Sequence, residues 1–97
     1  VAQIVYTENA LSNLERAFDF LAENDPTAAA DAAGAIREAV EMLSDHPLVG
    51  RRVEGELREL VISYGRTGYV VLYRFLPDRD LVRVLAIRHQ RELDFPA

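Results

Sequence analysis

The sequence predicts an α+β fold in the order β-α-α-β-β-β, with a helical hairpin packed on one face of a mostly antiparallel sheet. Three observations lead there. Apolar residues recur at helical spacing between Glu8 and Asp45. Beyond Glu56 the spacing turns strand-like, in runs rich in Val, Leu, Ile and Tyr. Clusters of turn residues, Gly65-Arg66-Thr67-Gly68 and Pro77-Asp78-Arg79-Asp80, separate those runs. Ninety-seven residues suit one domain, 1–97, without repeats or linkers.

Gln3–Tyr6 predicts a short first strand, and Thr7 ends it as a helix N-cap, with Glu8 placed to meet the positive end of the helix dipole. Leu11, Leu14, Phe18 and Leu21 then form one apolar stripe, and this helix stops near Asn24. Asp25-Pro26 restarts the chain, since Asp caps and Pro fits the first helical position. The second helix is expected over Pro26–Asp45, with Ala29, Ala33, Ile36, Val40 and Leu43 on one side. The short link between the two predicts an antiparallel hairpin, closed off by Pro47 and Gly50.

Residues 50–56 read as a polar loop. Leu57–Ser63, Gly68–Leu76 and Leu81–His89 follow as strands. If residues 77–80 make a four-residue hairpin loop, Leu76 lies opposite Leu81 and the register of the last pair is set. One face then carries Val70, Leu72, Arg74, Arg83, Leu85, Ile87 and His89. The other carries Tyr69, Val71, Tyr73, Phe75, Val82, Val84, Ala86 and Arg88. Both faces are largely apolar, so a partner is expected over whichever one the helices leave open.

Charge narrows the possible partners. The net charge is −5, and it is unevenly spread. Residues 1–49 hold nine acids against Arg16 and Arg37, while residues 50–97 hold nine arginines against seven acids. All eleven basic residues are Arg. A net-acidic chain is a poor general nucleic-acid binder, so an anionic partner would have to meet the second half. With no Cys, and with only His46 and His89 as imidazoles, neither a disulfide nor a metal site is expected, and no cofactor is implied. No apolar run approaches the roughly 20 residues that cross a bilayer and no signal-peptide pattern opens the chain, so the expectation is a cytoplasmic protein without a membrane partner.

Several short strings carry a more specific message. They are Tyr6-Thr7-x-x-Ala10, Asp25-Pro26-x-Ala28-Ala29, Leu43-x-x-x-Pro47-x-x-Gly50-Arg51 and Leu57-Arg58-Glu59-Leu60. Gly68-Tyr69-Val70-Val71-Leu72-Tyr73-Arg74 and Val84-Leu85-Ala86-Ile87-Arg88-His89-x-Arg91-Glu92 complete the set. In that order and at those separations they resemble the ParE/RelE superfamily of type II toxin–antitoxin toxins over nearly the whole chain. The resemblance implies a small toxin held inactive by a cognate antitoxin, whose C-terminal segment wraps it and which alone contacts operator DNA. RelE-like members of the superfamily cleave mRNA on the ribosome. ParE-like members are associated with inhibition of DNA gyrase and need no hydrolytic site.

The residues lean to the ParE-like side. The ribonuclease branch places an Arg directly after the Gly-Tyr of the central strand, where it meets phosphate. Here that position is Val70, which donates no charge-assisted hydrogen bond. The lysines of that branch are absent, and Phe95 stands where it often has a C-terminal Tyr. Were the chain a nuclease, Arg58, His89 and Arg91 would be its catalytic residues, since a His pKa suits acid–base work without a metal. Tyr69, Tyr73, Arg88, His89 and Arg91 are the candidates for target or antitoxin binding. Each has a plainer reading: the tyrosines as core, the arginines as salt bridges, and Arg51 and Arg52 as a solvated loop balancing Glu54 and Glu56. A third possibility is a degenerate member that only binds its antitoxin and co-represses their operon.

Overall fold

A computed structural model describes residues 1–64 and 67–90. The chain runs through β1 (Gln3–Tyr6), α1 (Glu8–Ala22), α2 (Pro26–Met42), β2 (Arg51–Glu54), β3 (Leu57–Tyr64), β4 (Thr67–Leu76) and β5 (Leu81–His89). The five strands form one sheet in the order β1-β5-β4-β3-β2, antiparallel except where β1 runs parallel to β5. The helical hairpin covers one face, as expected for this α+β class.

Both helices start where their capping residues dictate. Thr7 is extended, and its Oγ1 accepts the Ala10 N–H at 3.1 Å. Asp25 does the same for the Ala28 N–H at 3.1 Å, with Pro26 entering the first turn. α2 ends at Met42 rather than Asp45. The Ser44 and Asp45 N–H groups reach back only three residues, and Pro47 keeps the chain from resuming a helix. The Ala2 N–H donates to Ser44 O at 2.9 Å and Ser44 Oγ donates to Ala2 O at 2.7 Å, which fastens the start of the chain to the end of α2.

The segment expected to be a polar loop contains the edge strand β2. Its four residues are all exposed and none alternates toward the core, so it lacks the apolar period that marks a strand. It is held by its hairpin with β3, turning through Gly55 at φ +55°, and by the ion pairs Arg51–Glu59 and Arg52–Glu56. Such charge on an edge strand also discourages further strand pairing.

The core lies between the hairpin and the sheet. Ile36, Val40 and Leu43 meet Val71, Tyr73, Val82 and Val84, all essentially without solvent contact. Small residues, Ala10, Ala29 and Ala32, let the helices approach closely. Leu76 does lie opposite Leu81, across a single 3₁₀ turn at Pro77–Arg79 that closes through Asp80 in the left-handed region.

Candidate functional site

The two-face assignment for β4 and β5 holds only as far as Tyr73–Val84. Beyond that pair the register shifts, and Leu72 meets Ala86 while Leu85 stands as an extra residue in β5. A one-residue bulge exchanges the faces of everything after it. Ile87 and His89 therefore join Tyr69 and Val71 on the helix side, and Ala86 and Arg88 join Val70 on the open side, the reverse of the sequence expectation.

Polar groups of α1 hold the bulge in place. β1 ends at Tyr6, leaving the edge of β5 without a strand beyond Val84, to which the Thr7 N–H donates at 3.0 Å. Thr7 Oγ1 and Asn9 Nδ2 then donate to Leu85 O at 3.2 and 3.0 Å. The buried Asn13 Oδ1 accepts the Ile87 N–H at 3.0 Å. Three side chains thus replace a missing neighbour strand. Asn9 and Asn13 escaped the sequence analysis, although Asn at i and i+4 beside an apolar stripe is the signal that would have marked them.

Arg58 and Tyr73 form a second cluster on the helix side, directly opposite one another across β3 and β4. The Tyr73 hydroxyl accepts the Gly50 N–H at 2.8 Å and donates to Pro47 O at 2.9 Å. The Arg58 guanidinium donates to Leu48 O at 3.1 Å and Gly50 O at 2.8 Å. Together they pin the connection from α2 to β2. Burial pushes the Tyr73 phenol above its ordinary pKa, partly countered by the Gly50 N–H and the Arg58 charge. Burial does the same to Tyr6, with Glu41 adding to the rise and Arg37 opposing it.

The remaining candidates separate. Tyr69 is 2% exposed and Tyr73 0%, so both rings lie in the core and neither presents a surface to a partner. The His89 ring stands edge-on to Tyr69, with centroids 5.3 Å apart. Arg88 is exposed on the open face, and Arg91 and Phe95 lie outside the described residues. In register, His89 aligns with Tyr69 and Arg58 with Tyr73, four residues away along β4, or about 13 Å at an ordinary strand rise. The structure brings Tyr73 to Arg58 and Tyr69 to His89, but not Arg58 to His89.

The open face holds a different grouping. Arg74 and Arg83 are direct cross-strand partners there, with Val5 beyond Arg83, and Arg88 lies opposite Val70 farther along. None of these three arginines has an ion pair among the described residues. No group of three potential metal ligands occurs among those residues either.

Comparison with known proteins places this architecture. Residues 4–94 match the family described as the ParE toxin of the type II toxin–antitoxin system, parDE. The chain belongs to the ParE toxin family. Toxin RelE2 of Caulobacter vibrioides is 34% identical over 93 residues, covering 96% of this chain and all of that protein. Toxin RelE3 of the same organism is 40% identical over 73 residues, 75% of this chain and 77% of the relative. Among solved structures, the chromosomal ParDE system of P. aeruginosa shares the fold with a TM-score of 0.74 at 21% identity, over 91% of this chain and 95% of that one. The RelBE2 toxin–antitoxin complex of Mycobacterium tuberculosis follows at 0.59 and 25% identity, over 92% and 98%. This ParE-family chain is therefore a type II toxin by kinship, and among its described residues no helix is long and apolar enough to cross a membrane.

Proposed function

We propose that this ParE-family toxin arrests growth by binding DNA gyrase, without hydrolytic chemistry, and that a cognate antitoxin neutralises it. The observation that carries the reading is the separation of Arg58 from His89. The arginine is spent on two backbone carbonyls, and the imidazole packs against Tyr69 about four residues along the sheet. An acid–base pair must converge on one reacting bond to within hydrogen-bond reach of its protons. Val70 supports the same conclusion, since it is buried and uncharged at the position where a nuclease would hold phosphate.

Purified toxin added to gyrase is expected to block supercoiling while leaving mRNA intact in a translating extract. Full supercoiling at every toxin concentration overturns the reading. Codon-phased mRNA cleavage, lost in His89→Ala, would put a ribosome-dependent endoribonuclease in its place, a reading that the names of the RelE relatives favour. Normal growth when the chain is induced without its antitoxin would instead indicate an antitoxin-binding co-repressor. In each case operator DNA is reached through the antitoxin.

A further inference from the structure

The outer side of the helical hairpin carries charge and apolar surface that the fold itself does not use. Eight carboxylates lie between Glu8 and Glu41 against Arg16 and Arg37, and all ten side chains are exposed. None of the ten is ion-paired among the described residues. Like charges gathered on one layer repel, and a cationic ligand relieves them. Apolar groups run through this field. Leu11, Glu15, Phe18 and Ala22 follow one another at steps of four, three and four along α1, which places them on one face. Ala30, Gly34, Arg37 and Glu41 repeat those steps along α2. Leu11 is 52% exposed and Phe18 40%. The two stripes border one seam, because Phe18 lines a partly open apolar cavity with Ala29 and Ala33 of α2, together with Leu14, Ala17 and Tyr69. Gly34 adds a further sign. Glycine weakens a helix interior relative to alanine, yet a Cβ here would meet nothing within 4 Å, so the isolated fold has no need of it.

We infer that this outer seam docks a basic amphipathic helix of the protein the toxin arrests, gyrase in the reading above. The inference rests on that reading and adds the toxin's contact surface and the chemistry of the segment it meets. One apolar side chain of the helix enters beside Phe18, and others cover Leu11. Its Lys and Arg side chains meet carboxylates on both sides, Glu15 and Asp19 on α1 and Glu38 and Glu41 on α2. Its backbone comes closest at Gly34, where no side chain stands in the way. An enzyme that handles DNA must carry cationic segments of this kind. Other occupants fit less well. Nucleic acid and an anionic membrane are repelled by the carboxylates, and a second copy of the same seam would bring acid against acid.

The test titrates full-length toxin into a supercoiling assay with gyrase holoenzyme at two salt concentrations, beside melting curves of each variant. Glu15→Gln/Asp19→Asn/Glu38→Gln is expected to need about tenfold more toxin for half-inhibition, with a shallower salt dependence. Gly34→Leu is expected to melt at or above the parent's temperature, since leucine favours a helix and the space is open, and yet to need at least about tenfold more toxin. Those opposite signs separate a docking role from a structural one. Glu54→Gln/Glu56→Gln/Asp78→Asn, which removes the same charge from the hairpins of the sheet, should inhibit within about twofold of the parent. Unchanged inhibition in both seam variants, or equal losses in the sheet variant, overturns the inference. Seam variants that still inhibit gyrase but lose a cognate antitoxin would also overturn it, and give the seam to the antitoxin. A parent toxin that leaves supercoiling intact brings down the gyrase reading itself, and this inference with it.

Discussion

Gly50 shows how narrowly a single residue can be constrained. A Cβ there would lie 2.5 Å from Tyr73 Oη and 2.8 Å from Glu59 O, closer than van der Waals contact permits. Gly50→Ala is therefore expected to lower stability by about 1–3 kcal/mol, read from the urea midpoint. Tyr73→Phe removes the partner of the buried Gly50 N–H and should cost a similar amount, about 1–3 kcal/mol. The same phenol gives a pH dependence. Its pKa is raised in the folded state, so the unfolded chain loses its proton first as pH rises through about 10. Stability that is intact below that value is expected to decline above it, and Tyr6 acts in the same direction. Alkaline unfolding followed by circular dichroism should be less steep in Tyr73→Phe. Little of this was legible beforehand. The sequence marked Tyr73 as an inward aromatic and Arg58 as a possible catalytic cation. That both reach the same short stretch of backbone depends on where α2 stops, which local pattern does not encode.

Among the elements, β5 departs furthest from its expected form. Its limits, Leu81–His89, were readable from composition and turn residues alone, and its pairing at the hairpin followed from the loop length. The bulge at Leu85 was not readable, because nothing in Val84-Leu85-Ala86-Ile87 breaks the alternation. What sets it lies 70 to 80 residues away in sequence, in Thr7, Asn9 and Asn13. Replacing Asn13 with Leu should leave the Ile87 N–H buried without an acceptor and cost about 1–3 kcal/mol. Hydrogen exchange should then show Ile87 losing protection ahead of Val82 and Val84. Slow exchange at Ile87 in that variant would mean that the strand has found another acceptor and that Asn13 does not hold the bulge. β2 was missed for the opposite reason: it is held by charge pairs and a hairpin turn, and a search for apolar alternation passes over it.

At the scale of the whole molecule, the order of elements, the helical hairpin and the family were all legible from short strings spread along the chain. The edge strand β2 and the exchange of faces were not. The exchange matters for mechanism, because it takes His89 from the face of Arg74 and Arg83 to that of Tyr69. His89→Ala is accordingly expected to leave growth arrest intact, with at most a modest loss of stability from the lost ring contact, about 0.5–1.5 kcal/mol. Survival of cells expressing a folded His89→Ala toxin would reverse that expectation and return the imidazole to the chemistry.

The parallel pairing of β1 with β5 has a consequence in time as well as space. The strand made first waits for the strand made last, which must slide between it and β4 to complete the sheet. Contacts this distant in sequence form late and slowly. A nascent chain that has not yet released residue 89 from the ribosome can pair β2, β3 and β4, but it leaves β1 without the only strand it bonds to among the described residues.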